Sequence, residues 1–207
     1  MKFTPDSKFM ILCTRLVELT KINLLWLLCC LPIFTAGAAT TAMIACLYAF
    51  RAQENCGSKV FFAAFRRCFK KATILWLLIL FFAAMLLLDY VIVAYLTFPG
   101  RMAVIGLIFF LAFALILVSG LIFPLLSQFP GSIRETVVNA ILLSLANLPK
   151  LLMVTAMNLL PVLLAVLLPQ VFILLGFVWL VCGFALMGWY DVTVIEKIFA
   201  PYRVQEE

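Results

Sequence analysis

The stretch that decides the fold reads Asn23-Leu-Leu-Trp-Leu-Leu-Cys-Cys-Leu-Pro-Ile-Phe-Thr-Ala-Gly-Ala-Ala-Thr-Thr-Ala-Met43. It is an apolar run interrupted by Pro32 and then by Gly37. Because proline donates no backbone hydrogen bond and clashes with the preceding turn, a helix entering from Asn23 should end or kink there. Glycine allows the backbone conformations of a tight reversal. The stretch predicts a transmembrane helical hairpin, with a re-entrant hairpin over residues 22–50 as the alternative.

The second helix of this hairpin carries small residues at helical spacing. Ala38, Ala42 and Cys46 lie four apart, and Ala45 begins a second row of small residues. Small side chains let another helix approach closely in lipid, where no hydrophobic effect drives helices together. We therefore expect a helix-packing face formed by Gly37, Ala38, Ala42, Ala45 and Cys46.

The composition places the chain in a membrane. Of its 207 residues, 67% are hydrophobic and 12% are charged, and the mean hydropathy is +1.24. Soluble domains contain about 45–50% apolar and about 25% charged residues. The apolar runs do not alternate with polar residues as the strands of an outer-membrane barrel do. We predict an all-α, polytopic helical membrane protein that forms a single integral membrane domain over residues 1–207.

Six apolar stretches are long enough to cross a bilayer, which takes about 20 helical residues. These predicted spans cover residues 16–34, 33–50, 73–96, 102–126, 151–168 and 171–194. Two short amphipathic segments, 51–71 and 132–148, are predicted as interfacial helices, and Ser132 with Glu135 forms a predicted capping box. The tail from Glu196 is expected to fray.

The placement of lysine and arginine predicts the orientation. With six spans and both termini inside, 14 of the 15 lysines and arginines lie on the inner side and Arg101 lies outside. Cytoplasmic loops carry such an excess of positive charge. We therefore expect a multi-pass protein of the bacterial plasma membrane with both termini in the cytoplasm and no removable signal peptide. An offset of 79 residues aligns Phe50 with Phe129 and Lys71 with Lys150, which suggests a weak parallel duplication of about 1–96 and 102–207.

The 51–71 segment has one aromatic and one basic face. On a helical wheel, one side carries Phe61, Phe62, Phe65, Phe69 and Ala72, and the other carries Lys59, Arg66, Arg67, Lys70 and Lys71. Such a helix suits the surface of an anionic inner leaflet. A specific partner at Arg66, Arg67, Lys70 and Lys71 is the alternative, and the positive-inside rule alone also accounts for the charge.

The residue types present exclude most catalytic sites. The chain has no histidine, so zinc sites, Ser-His-Asp triads and Cys-His dyads are excluded in their usual forms. It has no Gly-rich phosphate loop, and its seven cysteines form no Cys-x-x-Cys pair. We expect no enzymatic activity, no cofactor, no metal site and no nucleic-acid partner.

Two polar residues inside predicted spans are candidates for function. Asp89, in the outer third of the third span, either pairs with Arg101 or contacts a substrate or ion. Asn158, near the middle of the fifth span, either bonds across helices and to carbonyls freed by Pro161, or lines a pathway. Trp189-Tyr-Asp191 is predicted to be an aromatic belt with one capping acid at the cytoplasmic interface.

Six blocks along the chain carry a family resemblance. They are Asn23-Leu-Leu-Trp26, Leu31-Pro-Ile33, Gly37-Ala-Ala-Thr40, Phe61-Phe-Ala-Ala-Phe65, Phe69-Lys-Lys-Ala-Thr73 and Leu145-Ala-Asn-Leu-Pro-Lys150. Together they resemble the YesL-like family of small Gram-positive membrane proteins. The resemblance implies no enzymatic activity and a role beside carbohydrate ABC importers, next to which such proteins are typically encoded. The chain lacks the Glu-Ala-Ala…Gly loop of importer permeases, so it does not resemble the permease itself.

Two functions are compatible with the sequence. In the first, the chain is a non-catalytic accessory subunit that contacts the permease or ATPase of an oligosaccharide ABC importer. In the second, it is a self-contained small solute transporter with a pathway near Asp89 and Asn158. The spans contain few polar side chains, whereas a translocated sugar needs several hydrogen-bonding partners. The sequence therefore favours the first function.

Overall fold

The computed structural model describes residues 8–52 and 57–203, with side chains for 13–52 and 57–202. The two ends of the chain, residues 1–7 and 204–207, lie outside the described residues, as do Gln53 to Cys56 of the predicted 51–71 segment. The regular elements described are α1 (Lys8–Cys30), a 3₁₀ turn (Ile33–Thr35), α2 (Ala36–Arg51), α3 (Ser58–Tyr95), α4 (Arg101–Gln128), α5 (Ile133–Ala146), α6 (Leu148–Leu167), α7 (Pro169–Leu174), α8 (Gly176–Val178), a π-helical turn (Trp179–Gly183) and α9 (Phe184–Arg203). The prediction of an all-α fold is confirmed.

Five stretches among the described residues are long and apolar enough to cross a membrane: Ile33–Arg51, Ser58–Tyr95, Arg101–Gln128, Leu148–Leu167 and Gly176–Tyr202. The chain is therefore a multi-pass helical membrane protein. The sequence predicted six such helices, and α1 is the one that does not qualify. Every 18-residue stretch of α1 contains Arg15, Glu18 and Lys21. These three charged residues are one more than the two found at most in the apolar stretches of the other five helices.

The predicted break between the basic helix and the third span does not exist. α3 runs without interruption through 38 residues. It contains no glycine or proline, so nothing at residues 71–73 stops the helix from propagating. Its buried stripe also differs from the predicted aromatic face and consists of Phe61, Ala64, Cys68, Ala72 and Leu75. Phe62, which the helical wheel placed on the apolar face, is exposed.

The hairpin of α1 and α2 turns at Pro32, as predicted. α1 ends at Cys30, and the Thr35 hydroxyl lies 2.6 Å from Cys29 O and 2.7 Å from Pro32 O. It thereby supplies a donor to carbonyls that have no partner once the helix has ended. The indole of Trp76 on α3 donates to Ile33 O (2.8 Å), so α3 also holds this turn.

The central helix of the bundle is α2, which contacts α1, α3, α4 and α9. The five predicted packing residues on α2 are buried or half-buried: Gly37, Ala38, Ala42, Ala45 and Cys46. The closest approach is at Gly37, where an added Cβ atom would lie 2.6 Å from Trp76 Cβ and 2.8 Å from Ala72 O. Only glycine fits at this crossing of α2 and α3.

A buried asparagine ties α1 to the π-helical turn. A π turn departs from the regular hydrogen-bond pattern of an α-helix, which leaves backbone groups that need other partners. Asn23 Nδ2 donates to Trp179 O (3.2 Å) and Leu180 O (2.7 Å), and Asn23 Oδ1 accepts from Ala185 N (2.9 Å). The Asn23 side chain is 0% exposed. All three of its bonds cross to a segment more than 150 residues away.

The chain ends in a longer helix than the sequence predicted. The predicted sixth span, 171–194, is divided between α7 and a helical run that begins at Gly176 and continues to Arg203. Ile195, Ile198 and Phe199 are each 1% exposed, because they pack into the core. The part of the tail from Glu196 to Arg203 is therefore helical and does not fray.

Several helix ends meet at one charged end of the bundle. Arg51, the last residue of α2, pairs with Glu196 of α9 at 2.7 Å and also contacts Thr193. At the start of α6, Lys150 Nζ donates to Lys197 O (3.3 Å). The ends of α2 and α9 and the start of α6 therefore lie on the same side, which is the arrangement that the positive-inside interpretation requires.

The second predicted amphipathic helix is α5, and its capping box is confirmed. Ser132 Oγ accepts from Glu135 N (3.2 Å), and Glu135 Oε2 accepts from Ser132 N (2.8 Å). The buried face of α5 is small or polar and consists of Thr136, Ala140 and Ser144. Four of its large apolar side chains, Val138, Ile141, Leu142 and Leu145, are exposed, whereas Ile133, Val137 and Leu143 are half-buried against the core. This exposed apolar face is suited to contact with the acyl chains of membrane lipids.

Gly37→Ala should destabilise the protein, because the added methyl group meets Trp76 and the Ala72 carbonyl. Overpacking of this kind costs about 1–3 kcal/mol. Gly106→Ala in α4 is the matched control, since a Cβ there has nothing within 4 Å and the change removes a helical glycine. Unfolding in detergent, followed by circular dichroism, should rank Gly106→Ala at or above wild type and Gly37→Ala well below it. Equal stability of the two variants would contradict the close approach of α2 to α3.

Asn23→Leu should also destabilise the protein, because the substitution keeps the side-chain size and removes three hydrogen bonds. Each buried backbone group left without a partner costs about 1–3 kcal/mol. Asn139→Leu on the exposed face of α5 is the control and should melt close to wild type. The same detergent melts measure both variants. An Asn23→Leu protein as stable as the control would show that the π-helical turn does not depend on Asn23.

Candidate functional site

The candidate site is a cavity of about 340 Å³ between α2, α4, α6 and α9. Most of its lining is apolar, and its polar lining residues are Thr40, Ser119, Thr155, Asn158 and Asp191. Small-molecule pockets measure about 300–1,000 Å³, so this cavity is at the small end of that range. Its walls come from helices that are long and apolar enough to cross a membrane.

Asn158 and Asp191 join α6 to α9 at this cavity. Asn158 Nδ2 donates to Asp191 Oδ2 (2.7 Å) and to Val154 O (2.9 Å). Both partners are acceptors, which identifies the donating atom as the amide nitrogen. Asp191 Oδ1 is buried and has no hydrogen-bond partner among the described residues. Burial of a carboxylate oxygen without a partner is costly, so this atom is the unusual feature of the site.

Both sequence hypotheses for Asn158 correspond to features of the structure. The side chain bonds across to α9, as a structural asparagine would, and it also lines the cavity, as a pathway residue would. The carbonyl that it contacts is that of Val154, one turn earlier in its own helix. It is not the carbonyl of Met157, which Pro161 leaves without its helical donor.

The prediction that Asp191 is a capping acid is wrong. Asp191 lies inside α9, with three further turns of helix between it and Arg203. Trp189 and Tyr190 are exposed, so they alone fit the predicted aromatic belt. The sequence signal that was missed is the apolar pattern beyond Asp191, where Ile195, Ile198 and Phe199 continue the buried face.

Asp89 does not join the cavity. It is exposed on α3, six residues before the helix ends at Tyr95, which is about 9 Å along the axis. Arg101 Nη2 donates to Ala94 O (2.9 Å), and the described residues contain no ion pair between Asp89 and Arg101. Gly100, with φ of 92°, reverses the chain before α4. Asp89 therefore lies near the end of the α3–α4 hairpin, away from the polar interior.

The four basic residues predicted to contact lipid or a partner divide into two pairs. Arg67 Nη2 donates to Ser127 O (3.2 Å), and Lys71 Nζ donates to Gly131 O (2.6 Å). These carbonyls lie at and just beyond the C-terminal end of α4, where the helix dipole attracts cations. Arg66 and Lys70 are exposed. The structure thus uses one pair to hold α3 against α4 and leaves the other pair at the surface.

A second cavity opens at the charged end of the bundle. It measures about 630 Å³, and its charged lining residues are Arg51, Arg67 and Glu196. Arg51 is paired with Glu196, and Arg67 donates to Ser127 O, so these guanidinium groups are already used within the chain. Among the described residues, no three cysteine, aspartate or glutamate side chains are grouped as metal ligands.

A comparison with known families matches one segment within the first half of the chain. Residues 19–90 match the model of a family described as a protein of unknown function, DUF624. The matched segment contains the hairpin and the Gly37–Trp76 contact, whereas Asn158 and Asp191 lie outside it. No curated protein and no solved structure matches the chain.

Asn158→Ala and Asp191→Ala should show coupled effects on stability, because each removes the same hydrogen bond. Interhelical hydrogen bonds in membranes contribute about 0.6 kcal/mol on average and up to about 1.7 kcal/mol. A double-mutant cycle measured by unfolding in detergent should give a coupling energy of that size. The same cycle with Asn158→Ala and Asp89→Ala should be additive within about 0.3–0.5 kcal/mol. Additivity in both cycles would contradict the α6–α9 contact.

Proposed function

We propose that the chain is a non-catalytic accessory subunit that assembles with a carbohydrate ABC importer in the bacterial plasma membrane, with both termini in the cytoplasm. The observation that carries the proposal is the small number of free hydrogen-bond donors in the intramembrane cavity. Thr40 and Ser119 each donate to a carbonyl of their own helix at 2.8 Å, and the Asn158 amide donates to two acceptors. Among the described residues this leaves the Thr155 hydroxyl as the donor of the lining without a hydrogen bond. An oligosaccharide presents many hydroxyl groups that need both donors and acceptors. The cavity is therefore poorly suited to carrying a sugar by itself.

The charged end of the bundle supports the orientation. Arg51, Lys150 and Lys197 gather there, whereas Arg101 lies at the opposite end of α3 and α4. Because positive residues are retained on the cytoplasmic side, this end would face the cytoplasm. If α1 also crosses the membrane, the six crossings place both termini on that side.

The family resemblance supports the partner. Five of the six blocks that resemble the YesL-like family lie within the matched residues 19–90. Arg66 and Lys70, exposed near the charged end, are available to anionic lipid headgroups or to an acidic segment of a permease or ATPase. Each basic residue near an anionic leaflet contributes about 1 kcal/mol of attraction.

A self-contained small solute transporter is the second candidate, and the Asn158–Asp191 cavity is the observation that favours it. Intramembrane carboxylates mark functional sites more often than structural ones. Asp89 does not line this cavity, so a pathway through the chain would use Asn158 and Asp191 without it.

Flux of labelled oligosaccharide into liposomes should separate the two functions. The purified chain alone should give no uptake above protein-free liposomes, because its cavity offers too few donors for a sugar. The importer that co-purifies with it in mild detergent, supplied with ATP, should take up more sugar with the chain than without it. Saturable uptake by the chain alone would reject the accessory role and favour the transporter.

Charge reversal tests the surface used in that assembly. Arg66→Glu with Lys70→Glu should reduce co-purification of the importer, whereas Arg134→Glu on exposed α5 is the control and should not.

A further inference from the structure

The polar groups left free in the intramembrane cavity are oxygen acceptors. The Asn158 amide nitrogen is used twice, which leaves its carbonyl oxygen free to accept. The Ser119 hydroxyl hydrogen points to Ile116 O, so the oxygen lone pairs of Ser119 remain available. Asp191 Oδ1 has no partner at all among the described residues. The Thr155 hydroxyl, which makes no hydrogen bond among the described residues, can turn either its hydrogen or its lone pairs toward the cavity. A small cavity that presents oxygen acceptors, and whose other donors are already used, is complementary to a cation.

The charge of the cavity specifies the valence of that cation. Asp191 is the one ionisable residue in the lining, and neither a lysine nor an arginine lines it from α2, α4, α6 or α9. Arg51, the basic residue of α2, is paired with Glu196 at the charged end. A carboxylate in a low-dielectric site is costly without a counter-charge. One positive charge neutralises it, whereas a divalent ion would leave an excess charge that no other residue in the lining compensates.

We propose that this cavity is a binding site for one monovalent metal cation, Na⁺ or K⁺, with Asp191, Asn158 and Ser119 supplying oxygen ligands. Alkali ions use carboxylate, carbonyl and hydroxyl oxygens, so one carboxylate with neutral neighbours is sufficient. The site adds a metal to a chain whose sequence predicted none. It does not depend on the importer proposal, because the ion binds within this chain alone, and its test uses the isolated chain.

Cation-dependent stability of the purified full chain tests the site. Melting in detergent at one pH and constant ionic strength, with NaCl, KCl or choline chloride, should give a saturable rise in Tm of several degrees with Na⁺ or K⁺ over choline. A ligand that binds only the folded state raises its stability in this concentration-dependent way. Asp191→Asn should abolish the rise, while Asp89→Asn, an identical change at an exposed carboxylate, should retain it.

A milder variant keeps the test valid if Asp191→Asn does not fold. Ser119→Ala removes one neutral oxygen and should raise the half-maximal cation concentration severalfold while the protein remains folded. Three results would overturn the proposal: equal Tm values in all three chlorides, an undiminished cation effect in Asp191→Asn, or a stability that responds to pH but not to Na⁺ or K⁺. The last result would assign a proton to Asp191 in place of a metal ion.

Discussion

A helix that breaks inside a membrane exposes backbone groups that lipid cannot satisfy, and this constraint governs the fold. At two of the interruptions in the described chain, the turn at Pro32 and the π-helical turn, a side chain from another helix supplies hydrogen bonds to the backbone. Trp76 donates to Ile33 O at the first break, and Asn23 makes three bonds at the second. The breaks thereby become the points at which α1, α2, α3 and α9 are attached to one another. The side chains that satisfy the interrupted backbone, Trp76 and Asn23, therefore also hold the bundle together.

Close packing at Gly37 complements these hydrogen bonds. In lipid the association of helices depends on van der Waals contact and on interhelical hydrogen bonds. The crossing of α2 and α3 supplies both, because Gly37 of α2 lets α3 approach to backbone contact, and Trp76 of α3 donates a hydrogen bond to the hairpin turn at the same place. The family match over residues 19–90 covers this arrangement, whereas the polar cavity depends on α6 and α9 beyond the match. The scaffold and the candidate site thus come largely from different halves of the chain.

Local signals in the sequence were sufficient for the fold class, the turn at Pro32 and the capping box of Ser132 and Glu135. Each of these depends on residues that are close together in the chain. The continuity of α3 was missed because a change from polar to apolar composition near Thr73 was interpreted as a helix boundary, although no residue there breaks a helix. The partners of Asn23 could not be predicted, because they lie more than 150 residues away. The role of Asp191 was missed because its two aromatic neighbours suggested a capping acid, whereas Asp191 bonds to Asn158 from inside a helix that continues to Arg203.

The uninterrupted α3 has a mechanical consequence for the whole molecule. Its 38 residues form a rod of about 57 Å, nearly twice the roughly 30 Å of the hydrocarbon core. A rod without glycine or proline has no hinge, so its two ends cannot move independently. We therefore expect α3 to tilt as one body, so that a displacement near Arg66 and Lys70 at the charged end also moves the Pro99–Gly100 turn at the other end. Such a tilt would turn about the crossing with α2 at Gly37, where the two helices are in backbone contact.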